Sequence, residues 1–145
     1  MNKILLFFSL IYSMTANSQS LNKNIDIIDY GYYRIELSIP STSIRQSQIS
    51  NYEEGFYKTY SLIDNSFLFV HCGAMTKDVV LSDSVIYECK LGNIAYSISY
   101  IRNGKYFRVD KYYQVGITVS FQFVEKDNLA IAEKILNNIK IIKCH

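Results

Sequence analysis

YQVGITVSFQFV (Tyr113–Val124) runs directly into EKDNLAIAEKILNNIKII (Glu125–Ile142), and the reading of these thirty residues decides the fold. In the first part Tyr113, Val115, Ile117, Val119, Phe121 and Phe123 are apolar at every second position. That is the period of a strand with one face buried and the other mostly wet. At Lys126-Asp127-Asn128 the period changes. Ile131, Ala132, Ile135, Leu136 and Ile139 recur at helical spacing, with Glu133, Lys134, Asn137 and Lys140 on the other side. A strand and a helix that each carry one apolar face most simply cover each other.

Working outward, the preceding residues read as antiparallel strands joined by short turns. Ile94, Tyr96, Ile98 and Tyr100 alternate with small residues, then Asn103-Gly104 marks a hairpin whose return arm begins at Tyr106. Asp110-Lys111 is expected to interrupt that arm before the strand at Tyr113. Ser84–Lys90 and Phe56–Leu62 read as further strands. Phe67–Cys72 is apolar on both parities, as a central strand covered on both sides would be. Tyr32–Ile39 alternates cleanly and is stopped by Pro40, which has no ladder donor. Residues 19–29 read as a lead-in. Ser41–Glu54 has no clear period and reads as a long surface excursion. The expected fold is α+β: a mainly antiparallel sheet of six or seven strands with a C-terminal amphipathic helix packed on one face.

The first residues carry a different message. Lys3 supplies a positive charge, Ile4–Tyr12 is apolar except for Ser9, and Ala16-Asn17-Ser18 fits a small-x-small cleavage site. This is the layout of a secretory signal peptide over 1–18, leaving 19–145 as a single domain. The apolar run falls short of the roughly 20 residues that span a bilayer. No later stretch reads as a membrane span. The expected location is therefore exported, periplasmic or secreted.

The order of elements resembles the Mog1/PsbP-like α/β/α sandwich. The residues that carry the similarity are Ile117–Phe121 and the run Ala132-Glu133-Lys134-Ile135-Leu136-Asn137-Asn138-Ile139-Lys140, which fits the closing helix A-x-x-I-L-x-x-I-K of that group. Where the group commonly has Trp or Phe soon after the early proline, Ser41-Thr42-Ser43-Ile44 follows Pro40. The resemblance implies a non-catalytic binding scaffold and carries over no functional residue.

Chemistry-bearing clusters are scarce. A net charge of +2 with scattered basic residues leaves no footprint for nucleic acid. His71 and His145 lack the local partners of a metal site, so neither metal nor cofactor is expected. His71 and Cys72 are neighbours, but adjacent strand residues point to opposite faces and do not form a nucleophile–base pair. Glu53-Glu54 beside Gly55 reads as a solvated turn. Three cysteines allow one bridge and leave a thiol over. Cys72–Cys89 is the first choice because each ends a predicted strand, beside Cys72–Cys144, Cys89–Cys144 and a state in which all three are thiols.

The tyrosines remain. Thirteen are present, and a cluster decorates the hairpin. Tyr96, Tyr100, Arg102, Tyr106 and Arg108 form the candidate binding surface, since tyrosine buries area while keeping a polar tip. Half-buried strands favour tyrosine for their own reasons. The leading functional expectation is an exported, non-catalytic binding or scaffold protein of the bacterial cell envelope, its partner a protein or an envelope component. An immunity or inhibitor protein that neutralises a toxin or hydrolase is the alternative, and a small hydrolase the third. The oligomeric state is open.

Overall fold

Lys23–Tyr30 forms a strand (β1) rather than a lead-in, and the reason lies in one residue. Its inward positions are Asp26, Ile28 and Tyr30, so a carboxylate occupies a place where the alternation calls for an apolar side chain. Asp26 is nonetheless buried, because Tyr60 donates a hydrogen bond to it at 2.6 Å and Lys58 sits 2.8 Å away. A buried charge is tolerated when it is paired and hydrogen-bonded.

The computed structural model describes residues 23–40, 44–46, 55–73, 84–93 and 95–144. The expected leader lies outside them, as does the 41–54 excursion apart from 44–46. After β1 come β2 (Tyr33–Pro40), β3 (Ile44–Gln46), β4 (Gly55–Ser61), β5 (Phe67–Gly73), β6 (Ser84–Leu91), β7 (Ala95–Arg102), β8 (Lys105–Tyr112), β9 (Ile117–Val124), a helix α1 (Leu129–Asn137) and β10 (Lys140–Lys143). They form a three-stranded sheet in the order β1-β2-β10 and a seven-stranded sheet in the order β3-β4-β5-β9-β8-β7-β6. Every pairing is antiparallel. The fold is sheet-dominated α+β, as the alternation implied, but the described residues form ten strands in two sheets rather than six or seven in one.

The two sheets and the helix share one core. Ile35, Leu37 and Ile39 of β2 meet Leu68, Val70 and Cys72 of β5, Ile117, Val119 and Phe121 of β9, and Ala132, Ile135 and Leu136 of α1. Fully burying such a side chain contributes about 1.5–3 kcal/mol, which makes this cluster the main source of stability. The core therefore covers β4, β5 and β9, and it does not extend over β6 and β7.

Three local features depart from the pattern of the opening stretch. First, β8 continues through Asp110 and Lys111 to Tyr112, and residues 113–116 are the turn. Second, Phe123 adopts φ 60, so the alternation slips by one. Phe123 turns to the outer face, edge-on to Phe107 at 5.1 Å, and Val124 enters the core instead. A register shift between Tyr106 and Arg108 on the neighbouring strand accompanies this slip. Third, α1 ends at Asn137. The Asn138 amide donates to the Lys134 carbonyl at 2.6 Å and caps the last turn. The chain then extends as β10, which lays Ile141 opposite Ile35 of β2. The hairpin is as expected: Asn103 and Gly104 have φ 51 and 74, the left-handed pair a tight two-residue turn requires.

Among the described residues no helix is long and apolar enough to cross a membrane.

Candidate functional site

β6, β7 and β8 extend the large sheet beyond the region that β1, β2, β10 and α1 cover. On the core side this leaves a step, with α1 as its wall and the exposed half-sheet as its floor. Two clefts lie along the step, of about 310 Å³ and 240 Å³, and they share Tyr87 and Arg108. The larger runs against α1 and has Tyr87, Tyr106, Phe121 and Leu129 among its apolar lining. The smaller reaches toward the sheet edge past Cys89 and Leu91.

Strand parity explains the floor. Paired positions across β6, β7 and β8 place Cys89, Ser97 and Asp110 in one row and Tyr87, Ser99 and Arg108 in the next. Continuing across β9, the same face becomes Ile117, Val119 and Phe121, which are core. The face thus changes from apolar to polar where the covering layer ends.

Arg108 stands at that boundary. Its guanidinium donates to both Asp110 oxygens, at 3.0 Å and 2.8 Å, in a bidentate fork. The remaining terminal nitrogen donates to Glu133 and, at 2.8 Å, to Asn137, both on α1. Ser97 completes the cluster by donating to Asp110 at 2.5 Å. Burial works against the Arg108 cation, but Asp110 and Glu133 more than offset it and the guanidinium pKa is raised. Burial, with Asp110 nearby, pushes the Tyr112 phenol up as well.

The cluster is a fastener. Four of the guanidinium's five N–H groups are engaged by its own chain, and two carboxylates more than balance its single charge. What the clefts present is a mixed aromatic and polar floor from the sheet, with the Arg108 cation already paired, against a helix wall that includes Leu129, Glu133 and Asn137. Such a surface suits an uncharged or amphipathic group better than an anion.

The expected binding residues divide between the two faces of the sheet. Tyr106 and Arg108 line the larger cleft. Tyr96 and Tyr100 are buried on the opposite face with Ile98 and Phe107. Tyr100 stacks on Phe107 at 5.1 Å, and Arg102 lies over both rings. None of these three lines the larger cleft, and only Tyr96 borders the smaller one. Tyr87, Glu133 and Asn137, which line the larger cleft, were not singled out by the sequence. The available signal was Asp110, a carboxylate in strand context two residues from Arg108. That is the spacing of side chains on one face.

The Cys72–Cys89 bridge is not formed, and all three cysteines are free thiols. Cys72 is on β5 and Cys89 on β6, with β9, β8 and β7 between them. Four strand spacings of about 4.8 Å put the two roughly 19 Å apart. A disulfide needs Cα atoms within about 7 Å. Burial pushes the Cys72 thiol up to about 12, so it stays protonated and inert. His71 points to the other face and stacks on Tyr57 at 4.3 Å. Among the described residues no three His, Cys, Asp or Glu side chains form a group able to hold a metal ion. No protein-family model, curated protein or solved structure matches the chain.

Proposed function

We propose that the protein is a binding module whose recognition surface is the step between α1 and the uncovered half of the large sheet. One observation carries this reading. The sheet is wider than its covering layer, and the ledge is lined by Tyr87, Tyr106 and Phe121 of the sheet and by Leu129 of α1. Apolar clefts with a few convergent polar groups are where small domains most often bind. Arg108, with four of its five N–H groups engaged within the chain, favours an uncharged or amphipathic portion of a protein or envelope component. The leader-like residues 1–18 favour an exported location, and the resemblance of the closing strand and helix to the Mog1/PsbP-like group implies a non-catalytic scaffold.

Asn137→Trp tests the assignment. Asn137 is exposed at the lip of the larger cleft, and an indole there obstructs it without entering the core. Lys134→Trp, on an exposed part of α1 away from the cleft, is the control. Immobilised wild-type protein and the control are expected to retain the same component from a solubilised envelope fraction, and Asn137→Trp at least ten-fold less. Equal retention by all three, with unchanged circular dichroism, places binding elsewhere.

A further inference from the structure

β6 ends the seven-stranded sheet, with no strand on its outer side among the described residues. The opposite end is closed by β3, only three residues long. β6 has eight residues, all exposed, including Ile86 at 54%, Tyr87 at 52% and Leu91 at 61%. A long, exposed edge of this kind is a template for pairing with another strand.

The residues of the edge select the partner. Register with β7 shifts between Val85 and Tyr87, and the chain turns at Gly92, so the regular ladder is Tyr87–Leu91. Cys89 is its midpoint. When two copies of such a strand pair about a two-fold axis normal to the sheet, each residue faces one of the same parity. Centred on Cys89, Glu88 faces Lys90 of the second copy, and Lys90 faces Glu88. Tyr87 faces Leu91, and Leu91 faces Tyr87. Moving the centre to Glu88 opposes two carboxylates, and moving it to Lys90 opposes two ammonium groups. Like charges directly opposite destabilise a sheet, and opposite charges support it. The centre at Cys89 therefore satisfies both charges and both large apolar side chains at once.

We propose that this chain associates with a second copy of itself through antiparallel β6–β6 pairing centred on Cys89, forming one continuous sheet across the dimer. Tyr87, Cys89 and Leu91 also line the smaller cleft, so the clefts of the two copies meet across the seam. Glu88 also accepts a hydrogen bond at 3.0 Å from the Tyr96 hydroxyl of the inner neighbour β7. The pairing rests on β6 alone and holds whether or not the step is the recognition surface.

Sedimentation velocity and thiol trapping test it. The reduced protein is expected to sediment as a dimer at high concentration and to dissociate on dilution. Diamide then takes two electrons and two protons from a thiol pair, is itself reduced to the hydrazine, and leaves one S–S bond. The covalent dimer is expected to be linked through Cys89 and to be lost in Cys89→Ser, while the reversible dimer persists. Glu88→Lys and Lys90→Glu should each weaken association at least ten-fold, and the double variant should restore it. That recovery cannot come from the Tyr96 contact, which the double variant also lacks. A monomer at all concentrations, covalent linkage through Cys144, or a double variant no better than the singles would overturn the proposal.

Discussion

Replacing Arg108 by alanine is expected to cost about 3–5 kcal/mol of folding stability, the range found when one partner of a buried ion pair is removed. Asp110 is the reason. Its side chain is only 6% exposed, and the guanidinium neutralises it through two parallel hydrogen bonds. Without Arg108 the carboxylate keeps the Ser97 hydroxyl but loses its cation. The same substitution removes the tie between β8 and α1 through Glu133 and Asn137. Glu133→Gln should cost far less, about 1 kcal/mol or below, because Glu133 is 32% exposed and solvent screens it. Arg108→Met combined with Asp110→Leu should recover much of the loss, since the lone carboxylate is gone. Denaturant unfolding followed by circular dichroism gives these values. A loss under 1 kcal/mol for Arg108→Ala would mean that the cluster fastens nothing.

A second large effect is expected at Asp26, where the two sheets are joined by charge. Asp26 of β1 accepts a hydrogen bond from Tyr60 and pairs with Lys58, both on β4 of the other sheet. Tyr60 is fully buried and the Lys58 side chain is 20% exposed. Asp26→Ala takes the carboxylate from a cation that stays largely buried, at a cost of about 3 kcal/mol. Asp26→Asn keeps an acceptor for Tyr60 but not the charge and should lose about half as much. Thermal unfolding separates the three proteins. An alanine variant as stable as the wild type would show that the two sheets are held by apolar contact alone.

Much of the architecture was legible because it rests on alternation. β2, β4, β5, β6, β7 and the Asn103-Gly104 hairpin follow from apolar periodicity and one turn signal. The departures share a physical cause: a polar or strained residue held by a distant partner. Asp26 breaks the pattern of β1, and its partners lie on β4. Asp110 looks like an interruption, and its partners are Arg108, Ser97 and, through Arg108, the helix. Phe123 keeps the alternation on paper but leaves the core because its backbone turns left-handed. β10 is four residues long, too short for a period to register after a helix.

The site was legible only in part for a related reason. A cluster of tyrosines and arginines on one hairpin reads as a single surface, yet a strand sends neighbours to opposite faces. Parity places Arg108 and Tyr106, two residues apart on β8, toward the step, and it places Tyr96, Tyr100 and Arg102 behind the sheet. What makes a cleft of the first face is the limited width of the covering layer. That width depends on how β1, β2, β10 and α1 assemble, which no local pattern encodes.

The most direct measurement of the central claim, that the step beside α1 is the recognition surface, is photo-crosslinking in intact cells. A benzophenone side chain is placed at position 137, at the lip of the larger cleft, or at position 29, on the outer side of the small sheet. A discrete covalent adduct from position 137 and none from position 29 is the predicted result. Adducts from position 29 alone, or equally from both, would contradict it.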